Sequence, residues 1–397
     1  GQLVLPLGDP LPEGNYVLLG SLDETVIQHG AEFNLGIHQY GENTYMPNGH
    51  KYIREFDCEV ISKTTYRVGG VILTKERMLV SFEPRVLIRY TLVEAHSPTT
   101  LRLKPFLAYR NTNELTQEND NACSDMREVV NGRVARMYES FPELYMQCSK
   151  KVEYTHAPAW YKGIEYMKEQ ERGFSYKEDQ LVPGWFEMPM KKGESVIFSA
   201  ATDMMASPET ISAVYEGALA RRTHKIDFLS CLEHSARQFV IRRPEIRTEV
   251  IAGYPWFAPF LEDTFMALPG LTLAQGHNED CIAALDTAVR DMEASGIFEG
   301  AKLNTTADAP LWFFFALQQL EKHTTQKELW AKYGEDKVTK EYLSLDRFLF
   351  PLMHGSLCEN AETEEVVRLA MTMSDDFLAL TTAHFSLLPG AEELVRY

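Results

Sequence analysis

The chain has no Cys-x-x-Cys pair, no histidine at metal-ligand spacing beside a cysteine, and no run of about 18 consecutive apolar residues. Its six cysteines, Cys58, Cys123, Cys148, Cys231, Cys281 and Cys358, are scattered. Neither a zinc centre nor a dense disulfide framework is indicated, so no metal site is expected and the thiols read as reduced. Three histidines, His29, His38 and His50, gather among Tyr40, Tyr45 and Tyr52, but at intervals that match no compact ligand pattern; they read as surface loop histidines.

Basic clusters are missing as well. With 39 Lys and Arg against 57 Asp and Glu, the formal charge is -18. That charge repels phosphate backbones and anionic lipid, so neither nucleic acid nor a membrane is expected as a partner and a neutral ligand fits better. The amino terminus "GQLVLPLGDPLPEG" lacks the charged start and long apolar segment of a secretory signal. A cytoplasmic location is the expectation, with the reservation that a chain starting at Gly1 leaves room for a leader already removed. Oligomeric state is left open.

Alternating βαβ units, short-period repeats and low-complexity segments are also absent. What is present is a change of texture. To about residue 202, period-two alternation and β-branched residues predict strands, with "VILTKERMLVSF", "RVLIRYTLVEA", "TTLRLKPFLAYR", "PELYMQCSKKVEY" and "GESVIFSAA" each read as one. Short turns between them favour antiparallel pairing, and a large antiparallel β-sandwich is expected over 1–202. Ser207 and Pro208 then open a helical connector, "ISAVYEGALARRTHKIDFLSCLEHSARQFVI", taken to end at Pro244 and giving a linker over 203–245. Further helical runs, "EDCIAALDTAVRDMEAS", "DAPLWFFFALQQLEKHT" and "TEEVVRLAMTMSDDFLALTTAHF", make 246–397 a mostly α domain. The fold class is thus β plus α, in more than one domain.

Candidate chemistry sits at two aromatic and acidic junctions. In "IAGYPWFAPFLEDTFMALPGLTL", Tyr254 and Trp256 precede Glu262 and Asp263 near the start of a helix, where carboxylates are favoured. In "NTTADAPLWFFFALQQLEKH", Asp308 stands before Trp312 in a cap-and-first-turn pattern. Flat rings beside carboxylates suit sugars, which offer apolar faces and hydroxyl edges. Plain structural roles compete at each position: aromatics as core, and Asp263 or Asp308 as simple helix caps. Trp160 and Trp185, in the Pro/Gly-bounded loops "HAPAWYKG" and "LVPGWFEMP", read either as flat platforms for a ligand ring or as anchors buried beneath loops.

These two junctions together, with the opening "GQLVLPLGD" and "LLGSLDETVIQHGAEFNLG", closely resemble the bacterial and archaeal glycogen debranching enzymes, the amylo-α-1,6-glucosidases. The resemblance runs to about residue 325. It implies an amino-terminal β-sandwich, a helical linker and an (α/α)6 toroid. It also implies hydrolysis of α-1,6 branches of α-glucan with inversion by two carboxyl groups and no cofactor. Where the family shows Gly-Arg-Asp, this chain has Leu261, Glu262 and Asp263; in related toroids the Asp accepts hydroxyls of the terminal glucose and the Arg donates to them. "NTTAD" also holds one more residue between Asn304 and Asp308 than the family's usual spacing. Twelve helices need roughly 350 residues, whereas about 150 follow residue 245, so a partial toroid is expected. The resemblance therefore implies Tyr254, Trp256, Asp263, Asp308 and Trp312 as sugar-binding residues; the family's general acid and base lie in later Thr-Trp-Met-Asp and Glu-containing stretches that this sequence does not show, so the catalytic pair stays unassigned, with Glu262 and Asp308 as the carboxylates at hand. The rival readings are a glucan-binding relative that does not hydrolyse, supported by the Arg-to-Glu change, and a toroid glycosidase acting on another sugar.

Overall fold

The computed structural model describes residues 1–41, 44–81, 83–222, 224–243, 247–254, 257, 259–294, 312, 315, 316, 319, 320, 322 and 323. The chain divides into two compact units, Gly1–Ile226 and Asp227–Tyr397.

In the first unit, two antiparallel sheets carry nearly all of the regular structure. A six-stranded sheet runs in the order Leu3–Leu7, Gly14–Gln28, Thr99–Asn111, Lys177–Met190, Glu153–Glu165, with Ala31–Asn34 also paired to Gly14–Gln28. An eight-stranded sheet runs Met126–Val129, Gly132–Ala135, Leu144–Cys148, Ser195–Ala201, Arg85–Glu94, Val71–Leu79, Ser62–Val68, Ile53–Asp57. Alternation along the strands decides which side chains meet: Leu101, Leu103, Phe186 and Met188 of the first sheet and Ile88, Leu92, Val196 and Phe198 of the second share one buried apolar cluster. Within it, Glu24 pairs with Lys75 and accepts a hydrogen bond from the Tyr90 hydroxyl at 2.6 Å. This buried polar link ties one sheet to the other and leaves none of its three members unpaired.

Four of the five stretches expected as single strands are so. The fifth, "PELYMQCSKKVEY", is two strands in different sheets: Leu144–Cys148 ends where Ser149 bonds Ile197 on both sides, at 2.8 and 2.9 Å, and the chain then crosses to begin Glu153–Glu165. Hydrophobic alternation persists through such a crossing, which hides it in sequence. Trp160 and Trp185 lie in strands and not in loops, because the Pro and Gly residues around them sit at bulges between His156 and Ala159 and at Gly184. Trp160 packs against the main core, and the Arg102 guanidinium lies 5.2 Å over the Trp185 ring.

The expected helical connector contains two helices. Among the described residues the helices are α1 (Met167–Glu171), α2 (Pro208–Ala220), α3 (Phe228–Phe239), α4 (Leu261–Leu271) and α5 (Asn278–Ala294), with further helical residues between 312 and 323. Ser207 caps α2, whose Ile211, Tyr215 and Ala218 cover Leu87 and Ile197 on the outer face of the eight-stranded sheet. Asp227 then starts α3 afresh through a reciprocal capping box with Ser230, and α3 gives way to a strand pair, Val240–Arg243 with Arg247–Val250.

The second unit has its own core. Val250, Phe265, Leu268, Leu273, Cys281, Leu285 and Leu320 pack together, with Leu261 and Trp312 partly buried against them. Arg247 holds the strand pair to α5 by two bonds to Asp291, at 2.8 and 2.7 Å, while Thr248 N–H donates to Thr287 Oγ1 at 3.0 Å. No helix among the described residues is long and apolar enough to cross a membrane.

Candidate functional site

The loop before α4 and the first turn of that helix carry most of the sequence-predicted residues. Ile251 N–H donates to Phe239 O at 2.9 Å, which sets the loop's start at the end of α3. Gly253 and Phe257 then form an isolated bridge, and a Cβ on Gly253 would stand 2.9 Å from the Phe257 ring, so a larger residue there would push that ring aside. Between them Tyr254 is half exposed. Its hydroxyl donates to Gln238 O at 2.6 Å, its ring lies 6.1 Å from Phe239, and burial of the remaining part raises its pKa. The tip is thereby fixed while much of the ring faces outward.

Phe260, in extended conformation, is the N-cap of α4 and provides no side-chain cap; Glu262 and Asp263 fall in the first turn. Asp263 is therefore not the helix cap. It is exposed, whereas its neighbours Thr264 and Phe265 turn into the core. Both carboxylates stand near the positive end of the helix, a favourable place for negative charge, and offer oxygens that accept hydrogen bonds. Successive residues of an α-helix point about 100° apart, so Glu262 and Asp263 address different directions and suit different tasks.

Trp312 is half buried, packs against the second unit's core and meets Phe315 edge to face at 5.6 Å. Trp256 and Asp308 lie outside the described residues. The structure thus sets Tyr254, Glu262 and Asp263 along one short segment and places Trp312 against the core that this segment's helix helps to build.

The histidines differ from the expectation of loop surface residues in one case. His29 and His50 are exposed, but His38 bonds Asp23 at 2.7 Å with its ring 4.8 Å from Phe106, because strand pairing of His38–Gln39 with Tyr45–Met46 folds it onto the sheet. Among the described residues no group of three or more His, Cys, Asp or Glu could hold a metal ion. Of the described cysteines, Cys148 and Cys281 are buried and Cys58, Cys123 and Cys231 exposed, all as free thiols; burial pushes the Cys148 thiol up to about 12.

Two adjoining cavities in the first unit, of about 470 and 450 Å³, are a feature that sequence reasoning missed. They share Asp125 and Arg127. The one available signal was local: Asn131, at φ 49°, and Gly132 mark the hairpin that carries Arg127 and Arg133. A Cβ at Gly132 would meet Met146 O at 2.0 Å, which holds that hairpin tight against the next strand.

Residues 1–197 match the family model described as glycogen debranching enzyme N terminal, and residues 234–359 match the model described as amylo-alpha-1,6-glucosidase. No curated protein matches the chain in sequence. Among solved structures, a bacterial glucoamylase complexed with acarbose is similar at 9% identity and a TM-score of 0.47, over 87% of this chain and 54% of that one. A mutant heparan sulfate lyase from Pedobacter heparinus is similar at 13% identity and a TM-score of 0.24, over 39% of this chain and 22% of that one. A polysaccharide lyase matches at 12% identity and a TM-score of 0.24, over 53% of this chain and 32% of its own. The chain spans about half the length of the glucoamylase it matches.

Proposed function

Because the chain belongs to the glycogen debranching enzyme family, we propose that it is a glycoside hydrolase that removes α-1,6-linked glucose from branched α-glucan. The observation that carries this reading is the order of the two matched models along one chain, with Tyr254, Glu262 and Asp263 inside the second of them. In the same reading the two sheets of the first unit form the family's β-sandwich, and the helices of the second are part of an (α/α)6 toroid.

The chemistry follows from what inversion requires. One carboxyl group protonates the glycosidic oxygen while another, about 6.5–9.5 Å away, activates water on the opposite face of the sugar. Asp263, exposed at the amino end of α4, takes the part of a hydroxyl acceptor, holding the terminal glucose against the Tyr254 and Trp256 rings. Glu262 and Asp308 are the candidate carboxylates for proton transfer, and Trp312 supports the sugar-facing end of its helix. No cofactor enters.

A second reading has one specific support. Glu262 stands where the family carries arginine, so a fork of donors is exchanged for an acceptor of opposite charge. That exchange favours a chain that holds glucan without cleaving it. Incubation of the purified chain with a phosphorylase limit dextrin separates the two. Free glucose accumulating in proportion to enzyme supports the hydrolase; no glucose, with glycogen still bound, supports the binder and removes the hydrolase reading.

A further inference from the structure

We propose that the cleft between the free edges of the two sheets in the first unit is a second glucan-holding groove, separate from the residues assigned to hydrolysis. Its sugar class rests on the family reading above, and its geometry does not.

Met126–Val129 is the terminal strand of the eight-stranded sheet, and Glu153–Glu165 is the terminal strand of the six-stranded sheet. Edge strands offer one row of backbone donors and acceptors that no neighbouring strand takes up. The 450 Å³ cavity is where these two edges face each other, with Asp125, Met126 and Arg127 on one side and Tyr154 and His156 on the other. Through Asp125 and Arg127 it joins the 470 Å³ cavity, which continues past Arg136 and Tyr138 to Glu143. Each volume falls within the roughly 300–1,000 Å³ usual for small-ligand sites. Sharing Asp125 and Arg127 as a common wall, they lie next to each other and offer a ligand longer than one ring more than one place to rest.

The lining chemistry selects the ligand class. Three arginines, Arg127, Arg133 and Arg136, face three acids, Asp125, Glu139 and Glu143, so the groove has no net charge with His156 neutral. Arg127 already bonds Glu143 at 2.7 Å, which damps the local field further. Such a surface gains little from an anion or a cation. It does offer donors and acceptors side by side, which is what the hydroxyls of a neutral sugar need.

Two tyrosines, partly buried against the main core, present their edges to the groove. The Tyr154 hydroxyl donates to Pro183 O at 2.9 Å, Phe186 backs its ring at 5.2 Å, and the Arg133 guanidinium lies 5.2 Å over the ring. The Tyr138 hydroxyl accepts a bond from Asn119 at 2.8 Å. Both rings are therefore held at their tips and cost little further ordering when a pyranose packs beside them.

The test uses the full chain, calorimetry with maltoheptaose, and the Asp263→Ala background, which weakens binding at α4. In that background the added triple replacement Asp125→Ala, Arg136→Ala and His156→Ala is expected to raise the maltoheptaose Kd at least about tenfold, or 1.4 kcal/mol. All three side chains are exposed, so the melting temperature should stay within a few degrees; Arg133→Ala, tested alone, provides a second variant. Unchanged maltoheptaose affinity in both variants overturns the groove, as does complete loss of binding from Asp263→Ala alone. Binding of heparin in preference to maltoheptaose also overturns it. A chain that releases no glucose from limit dextrin but loses maltoheptaose binding on groove replacement keeps the groove and removes the hydrolase reading; the reverse pattern does the opposite.

Discussion

Replacing Asp263 by alanine is expected to lower kcat/KM for glucose release from limit dextrin by about 100-fold or more, equivalent to roughly 2.7 kcal/mol of lost transition-state stabilisation. The size follows from its assigned task. A carboxylate that accepts sugar hydroxyls makes charge-assisted bonds, and its removal leaves those hydroxyls unpaired in a closing site. Stability should hardly change. Phe260, and not Asp263, is the N-cap of α4, and the side chain is exposed, so only a favourable interaction with the helix amino end is lost. The melting temperature should fall by less than about 4 °C. A collapse of the fold together with activity would assign Asp263 a structural role. Full activity in a folded variant would remove it from the sugar site.

The opposite pattern is expected of Glu178, fully buried in the first unit. Its carboxylate accepts from Gln180 Nε2 at 2.8 Å, from Thr116 N–H at 3.3 Å, and from the Arg110 guanidinium and the Tyr166 hydroxyl. Burial and this carboxylate both push the Tyr166 phenol up, so the hydroxyl stays a donor. Glu178→Ala leaves the Arg110 charge without its carboxylate and strips the Thr116 N–H and the Tyr166 hydroxyl of their acceptor, while Gln180 Nε2 keeps the Tyr166 oxygen at 3.1 Å. Breaking such a buried pair costs about 3–5 kcal/mol, which for a unit of this size lowers the melting temperature by roughly 10 °C. Glu178→Gln, which keeps one acceptor oxygen but not the charge, should cost less. Thermal melts followed by near-ultraviolet circular dichroism check both. A shift under about 3 °C for the alanine variant would mean that the network adds little, through relaxation or solvation of Arg110.

How much of this was legible in sequence depended on the range of each interaction. Strands such as Arg85–Glu94 and Thr99–Asn111 announce themselves because burial on one face imposes period two within the segment itself. The crossing at Ser149 does not, because both sheets bury alternate residues and the pattern continues through the change of partner. The break between α2 and α3 has a local signal, because Asp227 followed by Ser230 is a capping pair inside a run whose apolar spacing is otherwise continuous. At the site, Glu262 and Asp263 could be placed at a helix start from their neighbours alone. Their exposure, and the part played by Phe260 as cap, depend on how α4 packs. The groove was hidden for a plainer reason. Its walls come from segments around residues 125, 133 and 154, which only the pairing of two sheets brings together.

The two-carboxylate account makes a stereochemical demand that one measurement reads directly. Proton NMR of the anomeric region, recorded during the first minutes of limit-dextrin hydrolysis, should show β-glucose appearing before mutarotation fills in the α form. Initial release of α-glucose would contradict inversion, and the absence of any glucose signal would contradict hydrolysis itself.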